Sequence, residues 1–185
     1  MKKKDAGTIH KLYACILLIW VVICWGILIE IMRAGYVSRY LEDSMTQANL
    51  AAMLIEPYDY GFAGVLVFHD LDNVKSNFAE VLEKAFGGDE ERKALGITGD
   101  VEIVDFRVYE VTPSMKAEFY YDNDMVTGYK WYDETAVVLA PDGTIIQNSS
   151  IYAKIAVPVK FLFGIEITVM KEHCVDVVSE ERMYE

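Results

Sequence analysis

"LYACILLIWVVICWGILIEIM", Leu12 to Met32, decides the fold of this chain. Its first 18 residues, Leu12 to Ile29, hold no charge and no proline. As a helix rising about 1.5 Å per residue they cover roughly 27 Å, close to the ~30 Å of a bilayer's hydrocarbon core. A cleaved secretory signal has a shorter apolar run, about 7–15 residues, and ends in a small-x-small site. Met32 and Arg33 spoil that pattern here. A helix buried in a soluble core would be expected to keep a polar face over about five turns. The segment therefore reads as a membrane anchor: leader 1–11, transmembrane helix 12–32, domain 33–185.

The flanks give a direction. Lys2, Lys3, Lys4 and Lys11 precede the span, and an excess of basic residues keeps that end in the cytoplasm. Arg33 and Arg39 weaken the bias without reversing it, so the C-terminal domain is expected outside. Residues 1–32 carry four Lys against Asp5 and Glu30, formally +2, and the remainder 13 Lys/Arg against 27 Asp/Glu, formally −14. So acidic a head does not seek phosphate backbones, which argues against nucleic-acid partners. It is long enough for one modest core.

Three cysteines add little. Cys15 and Cys24 lie within the span, on opposite sides of a helix, and Cys174 alone lies beyond it. A disulfide within the head is excluded, and Cys174 reads as a free buried thiol rather than an inter-chain bridge.

Helical periodicity continues past the span. Between Ser38 and Glu56 there is no Pro or Gly, and Leu41, Met45, Ala48, Ala52 and Ile55 recur at three- and four-residue steps. That is one apolar face, with Arg39, Glu42, Asp43 and Gln47 off it. Pro57 closes it, and Gly35 is the natural place for a bend between the halves. A second helix is expected after Asp72, its cap, with Val74, Phe78, Val81, Leu82, Ala85 and Phe86 as the buried face. Gly87 and Gly88 stop it, and "DEERKAL" adds a short helical piece.

The remainder reads as strands: "VEIVDFRVYEV" with Val101, Ile103 and Asp105 on one face, "MKAEFYYD", "WYDETAVVLA", a proline-led turn at 141–143, "TIIQNSS", and two closing strands in 151–178. Pro158 makes the first closing strand an edge, or breaks it. The expected fold class is α+β. A long N-terminal helix, half transmembrane and half amphipathic, packs on an antiparallel sheet with one further helix.

This layout resembles type IV pilin-like subunits. "GILIEIMRAGYVSRYLEDSMTQANLAAMLIE" (26–56) and "IYAKIAVPVKFLFGIEITVMKEHCVDVV" (151–178), with its P-x-x-F connection at Pro158 and Phe161, are similar to the TadE family of minor pseudopilins of tight-adherence (Tad/Flp) pili. The likeness covers roughly 7–56 and 151–178. It implies a non-enzymatic subunit or assembly component of a Tad-type pilus or secretion apparatus, partnered by lipid and by other pilin-like or pilus assembly proteins. It also implies prepilin-type cleavage after Gly7, with Thr8 as the new N-terminus. The family's acid at the fifth mature position would then fall at Leu12, so the usual charge registry is missing. Either processing differs or the chain stays uncut. Lateral packing of the span prefers small residues, and Ala14 and Gly26, twelve apart, are expected to share a face for it.

Catalytic constellations are not apparent. His10, His69 and His173 are the only histidines, and His10 is on the cytoplasmic side, so a three-histidine zinc site has too few ligands. His173 and Cys174 are neighbours that point to opposite faces of a strand. "HDLD" (His69, Asp70, Asp72) reads as a helix start. Asp122, Asn123 and Asp124 read as a polar turn without the calcium-loop glycine and glutamate. Tyr120, Tyr121, Trp131 and Tyr132 read as strand residues rather than a contact patch. No cofactor, metal or small-molecule substrate is implied. The rival reading is a membrane-tethered ligand-binding or sensory ectodomain unrelated to pili, which requires a concave pocket with convergent polar groups.

Overall fold

One helix, α1, runs unbroken from Lys3 to Ala52, 50 residues, or about 75 Å at the usual rise. The computed structural model describes residues 3–53, 68, 71–122 and 125–176. Every large apolar side chain from Leu12 to Met32 is exposed. Among the described residues this is the single helix long and apolar enough to cross a membrane, and none of its most apolar window is buried. From Val37 the same helix changes character. Val37, Leu41, Met45, Ala48 and Ala52 are buried and Arg39, Glu42, Asp43 and Gln47 are exposed. The expected stripe is therefore the contact face as far as Ala52; Ile55 lies outside the described residues. The helix passes through Gly35 without interruption.

Beyond α1 come α2 (Leu71–Phe86), α3 (Asp89–Leu95), β1 (Glu102–Val111), β2 (Met115–Asp122), β3 (Met125–Asp133), β4 (Ser150–Lys160), a 3-10 turn at Leu162–Gly164 and β5 (Glu166–Asp176). All neighbouring strands are antiparallel, in the order β3-β2-β1-β4-β5. The class is α+β as expected, with the short α3 besides the one further helix. The second half of α1, together with α2, packs on one face of the sheet. There Val74, Phe78, Leu82 and Phe86 of α2 meet Phe106, Val108, Phe119, Ile151, Ile155 and Val157. Asp72 sits inside the first turn of α2, where it favours the helix's positive end, rather than at the cap.

Three strand expectations are corrected. First, β1 bulges. Ile103 pairs with Ile155 but Asp105 with Lys154, so Val104 is extra and exposed. The bulge reverses alternation. Val101 and Ile103 join the core beside Phe106, and Asp105 turns to the opposite face beside Arg107. Second, "WYDETAVVLA" is not one strand. β3 starts earlier, at Met125, and ends at Asp133. Residues 134–149 instead cross the outer face, folded on the turn at Pro141–Gly143 and an isolated bridge between Leu139 and Ile145. "TIIQNSS" belongs to that crossing. Val138, Ala140 and Ile146 bury Tyr109 and Tyr152 beneath it as a second small core.

Third, β4 is interior and unbroken despite Pro158, lying between β1 and β5. The pairing with β1 ends at Ala156, and the Pro158 carbonyl accepts from Thr98 N–H at 3.0 Å. A strand residue's N–H and C=O point the same way, so the missing proline donor falls on the Thr98 side and not in the β5 ladder.

Gly96 fastens this end of the sheet to α1. It caps α3 in the left-handed region, φ 75°, and a Cβ there would collide with the Arg33 guanidinium and lie 2.6 Å from the Lys160 carbonyl. Gly143 also has positive φ, 89°, but open space around it. Gly143→Ala should therefore cost only the left-handed penalty, roughly 1–2 kcal/mol. Gly96→Ala should cost clearly more, because the Lys160 backbone carbonyl and the Arg33 guanidinium must be displaced as well. Thermal unfolding of both variants in detergent, compared directly, checks this.

Candidate functional site

Two regions stand out from the residues upward: the junction where α1 leaves the head, and the polar outer face of the sheet. At the junction Glu30 and Arg33 pair along the helix, Oε1 to Nη1 at 3.5 Å, with side chains only 17 % and 27 % exposed. Glu30 is thus held along the helix. Its Oε2, and Arg33 Nε, are buried without a hydrogen-bond partner. Four residues before Glu30, Gly26 faces Leu162, whose Cδ1 would lie 3.9 Å from an added Cβ. The closing hairpin thus comes down alongside α1.

Past the junction the amphipathic half is held by polar contacts at the rim of its apolar stripe. Tyr40 donates to the Ala85 carbonyl at 2.6 Å and meets the Phe86 ring edge-on at 5.6 Å. Lys171 of β5 pairs with Glu42 at 2.9 Å, and its hydrogen bond and charge lower the Glu42 pKa. Asn49 is fully buried within this half, with neither side-chain polar atom bonded.

On the outer face Glu118 is the centre of a network. The strand register sets Tyr109 opposite Glu118 and Tyr120 opposite Arg107. Glu118, with a side chain 5 % exposed, accepts from Arg107 Nη1 at 3.0 Å, from the Tyr109 hydroxyl at 3.1 Å and from the Tyr132 hydroxyl at 2.7 Å. Arg107 also holds Asp105 at 2.9 Å and lies over the Tyr120 ring at 5.2 Å. Burial raises the Glu118 pKa, but Tyr132, Tyr120, Arg107 and Tyr109 outweigh it, and the net shift is downward. Burial and Glu118 together push the Tyr120 and Tyr132 hydroxyls up to about 12. Nothing here is poised to exchange a proton near neutrality. The network is a set of saturated hydrogen bonds.

Beside it, Tyr152 donates to Glu172 at 2.9 Å, and Lys154 pairs with Glu172 at 3.1 Å. Cys174 is a free thiol, pushed up to about 12 by burial and then by Asp142 and Asp176. His173 pairs with Ala153 and Cys174 with Tyr152, so the two point to opposite faces. No group of three metal-ligating side chains comes together among the described residues. His69, Asp70, Asn123 and Asp124 lie outside them.

The remaining expected residues are placed as follows. Gly7 and Thr8 fall within the first turns of α1. Ala14 is exposed and Gly26 partly covered. At about 100° per residue the two are about 120° apart around the helix, so they do not share a face. Tyr121 donates to the Leu71 carbonyl at 2.6 Å, and Tyr132 serves Glu118. Tyr129 and Trp131 are more than half exposed on the edge strand β3, rings 5.7 Å apart. A cavity of about 360 Å³ lies between α2, α3 and the start of β1, with Leu82, Phe86 and Ile103 beneath Glu83, Arg92 and Asp100. Arg92 is already committed there, to the Gly99 carbonyl and to Asp100. Sequence reading missed the Glu118 network, although Asp105, Arg107 and Tyr109 alternate in one strand and Glu118 and Tyr120 in the next. It also missed the Arg33–Gly96 contact, for which no local signal exists.

No family model, curated protein or solved structure matches the chain.

Glu118→Gln should destabilise the head by about 2 kcal/mol, the cost of a buried charge-assisted network losing its charge and one of its two acceptor oxygens. In the parent, Glu118's contribution is complete above the unfolded carboxylate pKa and is lost as pH falls through the depressed folded value. In the variant that acid-dependent part should vanish, which thermal unfolding between neutral pH and pH 3 reads. A water-soluble maleimide at pH 8 should leave Cys174 unlabelled until the head is denatured, because the thiolate is the reacting form.

Proposed function

We propose that this chain is a non-enzymatic, membrane-anchored, pilin-like subunit or assembly component of a Tad-type pilus or secretion apparatus. Leu12–Met32 spans the membrane with the N-terminus in the cytoplasm, and the α+β head lies outside. The observation that carries this reading is the division of α1. One uninterrupted helix is exposed and apolar all round from Leu12 to Ile29, and from Val37 to Ala52 supplies a buried stripe to a small antiparallel-sheet head. That is the arrangement by which pilin-like subunits keep a free membrane helix for packing against others while the head folds independently. A further support is the chemistry of the outer face. Its buried carboxylate and arginine are saturated by one another and by tyrosines, which gives rigidity to a docking body rather than a reactive group.

The ligand-binding alternative is favoured by the cavity over Leu82 and Phe86, where Glu83, Arg92 and Asp100 converge. It would make Arg92 the recognition group. It predicts activity independent of any other pilin-like protein.

The intact mass of the chain, taken from sheared surface filaments and from the membrane of the same cells, separates these readings. A filament-borne species beginning at Thr8 is the outcome for a processed subunit. A full-length species confined to the membrane, but lost from it when the neighbouring pilus components are deleted, is the outcome for an assembly component. A full-length membrane species indifferent to those deletions would reject the pilus reading and leave the sensory one.

A further inference from the structure

The closing hairpin carries apolar side chains where a soluble hairpin would be polar. β4 ends at Lys160 and β5 begins at Glu166, and the two face each other across the ladder, Nζ to Oε1 at 3.9 Å. Between them the chain reads Phe-Leu-Phe-Gly-Ile, residues 161–165, without one polar side chain. Leu162, Ile165 and Ile167 are 41 %, 56 % and 51 % exposed. The turn itself is well made. Phe161 N–H donates to the Ile165 carbonyl at 2.8 Å, and Gly164 takes φ 75°.

The depth of this tip is fixed by its contacts with α1. The Arg33 guanidinium lies against Gly96, whose neighbour on the other side is the Lys160 carbonyl. So the Glu30–Arg33 pair on the helix and the Lys160–Glu166 pair on the hairpin stand at one level. Beyond that level both elements are apolar, and the tip reaches the level of Gly26, where an added Cβ would lie 3.9 Å from Leu162 Cδ1. Gly26 is six residues short of Met32, so the tip reaches about 9 Å into the length of the apolar segment. Between hairpin and helix lies an open groove of about 420 Å³, with Gly26, Ile27, Glu30 and Ile31 on one side and Leu162, Ile165 and Ile167 on the other.

We propose that the β4–β5 tip is a second lipid-contact site. It is immersed in the leaflet on the head's side, and phospholipid acyl chains fill the groove between it and α1. This inference rests on the reading that Leu12–Met32 spans a bilayer. What argues for lipid as occupant is continuity: the tip adjoins the exposed surface of the span, the one polar residue lining the groove is Glu30, paired with Arg33, and the charged pairs end at the level where headgroups begin. Immersed tip side chains leave water, as apolar surface favours, and two hydrogen bonds within the turn, Phe161 N–H to the Ile165 carbonyl and Gly164 N–H to the Phe161 carbonyl, reduce the cost of bringing non-helical backbone to lipid.

The test uses the full chain in phosphatidylcholine/phosphatidylglycerol vesicles, with Cys15, Cys24 and Cys174 replaced by Ala. Single nitroxide labels are placed at Ile165→Cys, at Ile19→Cys in the span and at Gln147→Cys on the far side of the head. Collision with oxygen and with a water-soluble nickel chelate reads the depth of each. The expected result is oxygen-rich, nickel-poor behaviour at 165 as at 19, and the reverse at 147. A label at 165 that is as nickel-accessible as 147, while 19 stays lipid-like, overturns the proposal and leaves the span intact. A label at 165 shielded from both reagents also overturns it, because protein then fills the groove. A nickel-accessible label at 19 removes the span itself and the proposal with it.

Discussion

The burial of Val37, Leu41, Met45, Ala48 and Ala52 beneath one sheet is the contact on which the rest depends. Each fully buried Val, Leu or Met in that stripe contributes roughly 1.5–3 kcal/mol. Two demands therefore meet in one helix. Before the junction it must be apolar on every side, and after it on one side only. The change takes place between Met32 and Val37, where Arg33 is the first cation after the leader. Arg33 is used twice there, neutralising Glu30 along the helix and filling the space left by a glycine at 96.

Most of the scaffold was legible because it is periodic. The three- and four-residue steps from Leu41 to Ala52, the run Val74–Phe78–Leu82–Phe86 and the limits of β2 were all set by neighbours a turn or a pleat away. The failures share a different cause. The fate of Pro158 depends on where β1 stops, which its own strand does not encode. The bulge at Val104 leaves a sequence that alternates equally well without it, and only pairing with Ile155 and Lys154 shows which face each residue takes. Residues 134–149 have strand-like composition because they cover a second core, yet they form a crossing. The junction was illegible for the same reason. Gly96 and Arg33 meet only because the end of α3 is brought back beside Lys160.

The outer face illustrates how a buried charge is tolerated. Desolvation opposes an ionised Glu118, and removing one partner of such a pair costs more than the pair's net worth. Here the carboxylate has three donors, and Arg107 has a second carboxylate in Asp105, so neither charge depends on a single contact. Such a network sets the register of β1 against β2. A slip by one residue would carry Glu118 to the apolar face and leave Arg107 without its acceptor. The arrangement thus specifies one register as well as contributing to stability.

Gly35 completes the argument about the junction. A glycine inside a helix costs roughly 0.5–1 kcal/mol relative to alanine, and it is where a long helix would bend. Nothing packs on it, so no contact there explains why α1 runs on. The continuity comes from bracing on both sides. Val37 and Leu41 are fixed in the core just after Gly35, while the Arg33 guanidinium lies against Gly96 just before it. All three contacts are made to the same head. Bending at Gly35 would break the contacts on one side whichever way the helix moved.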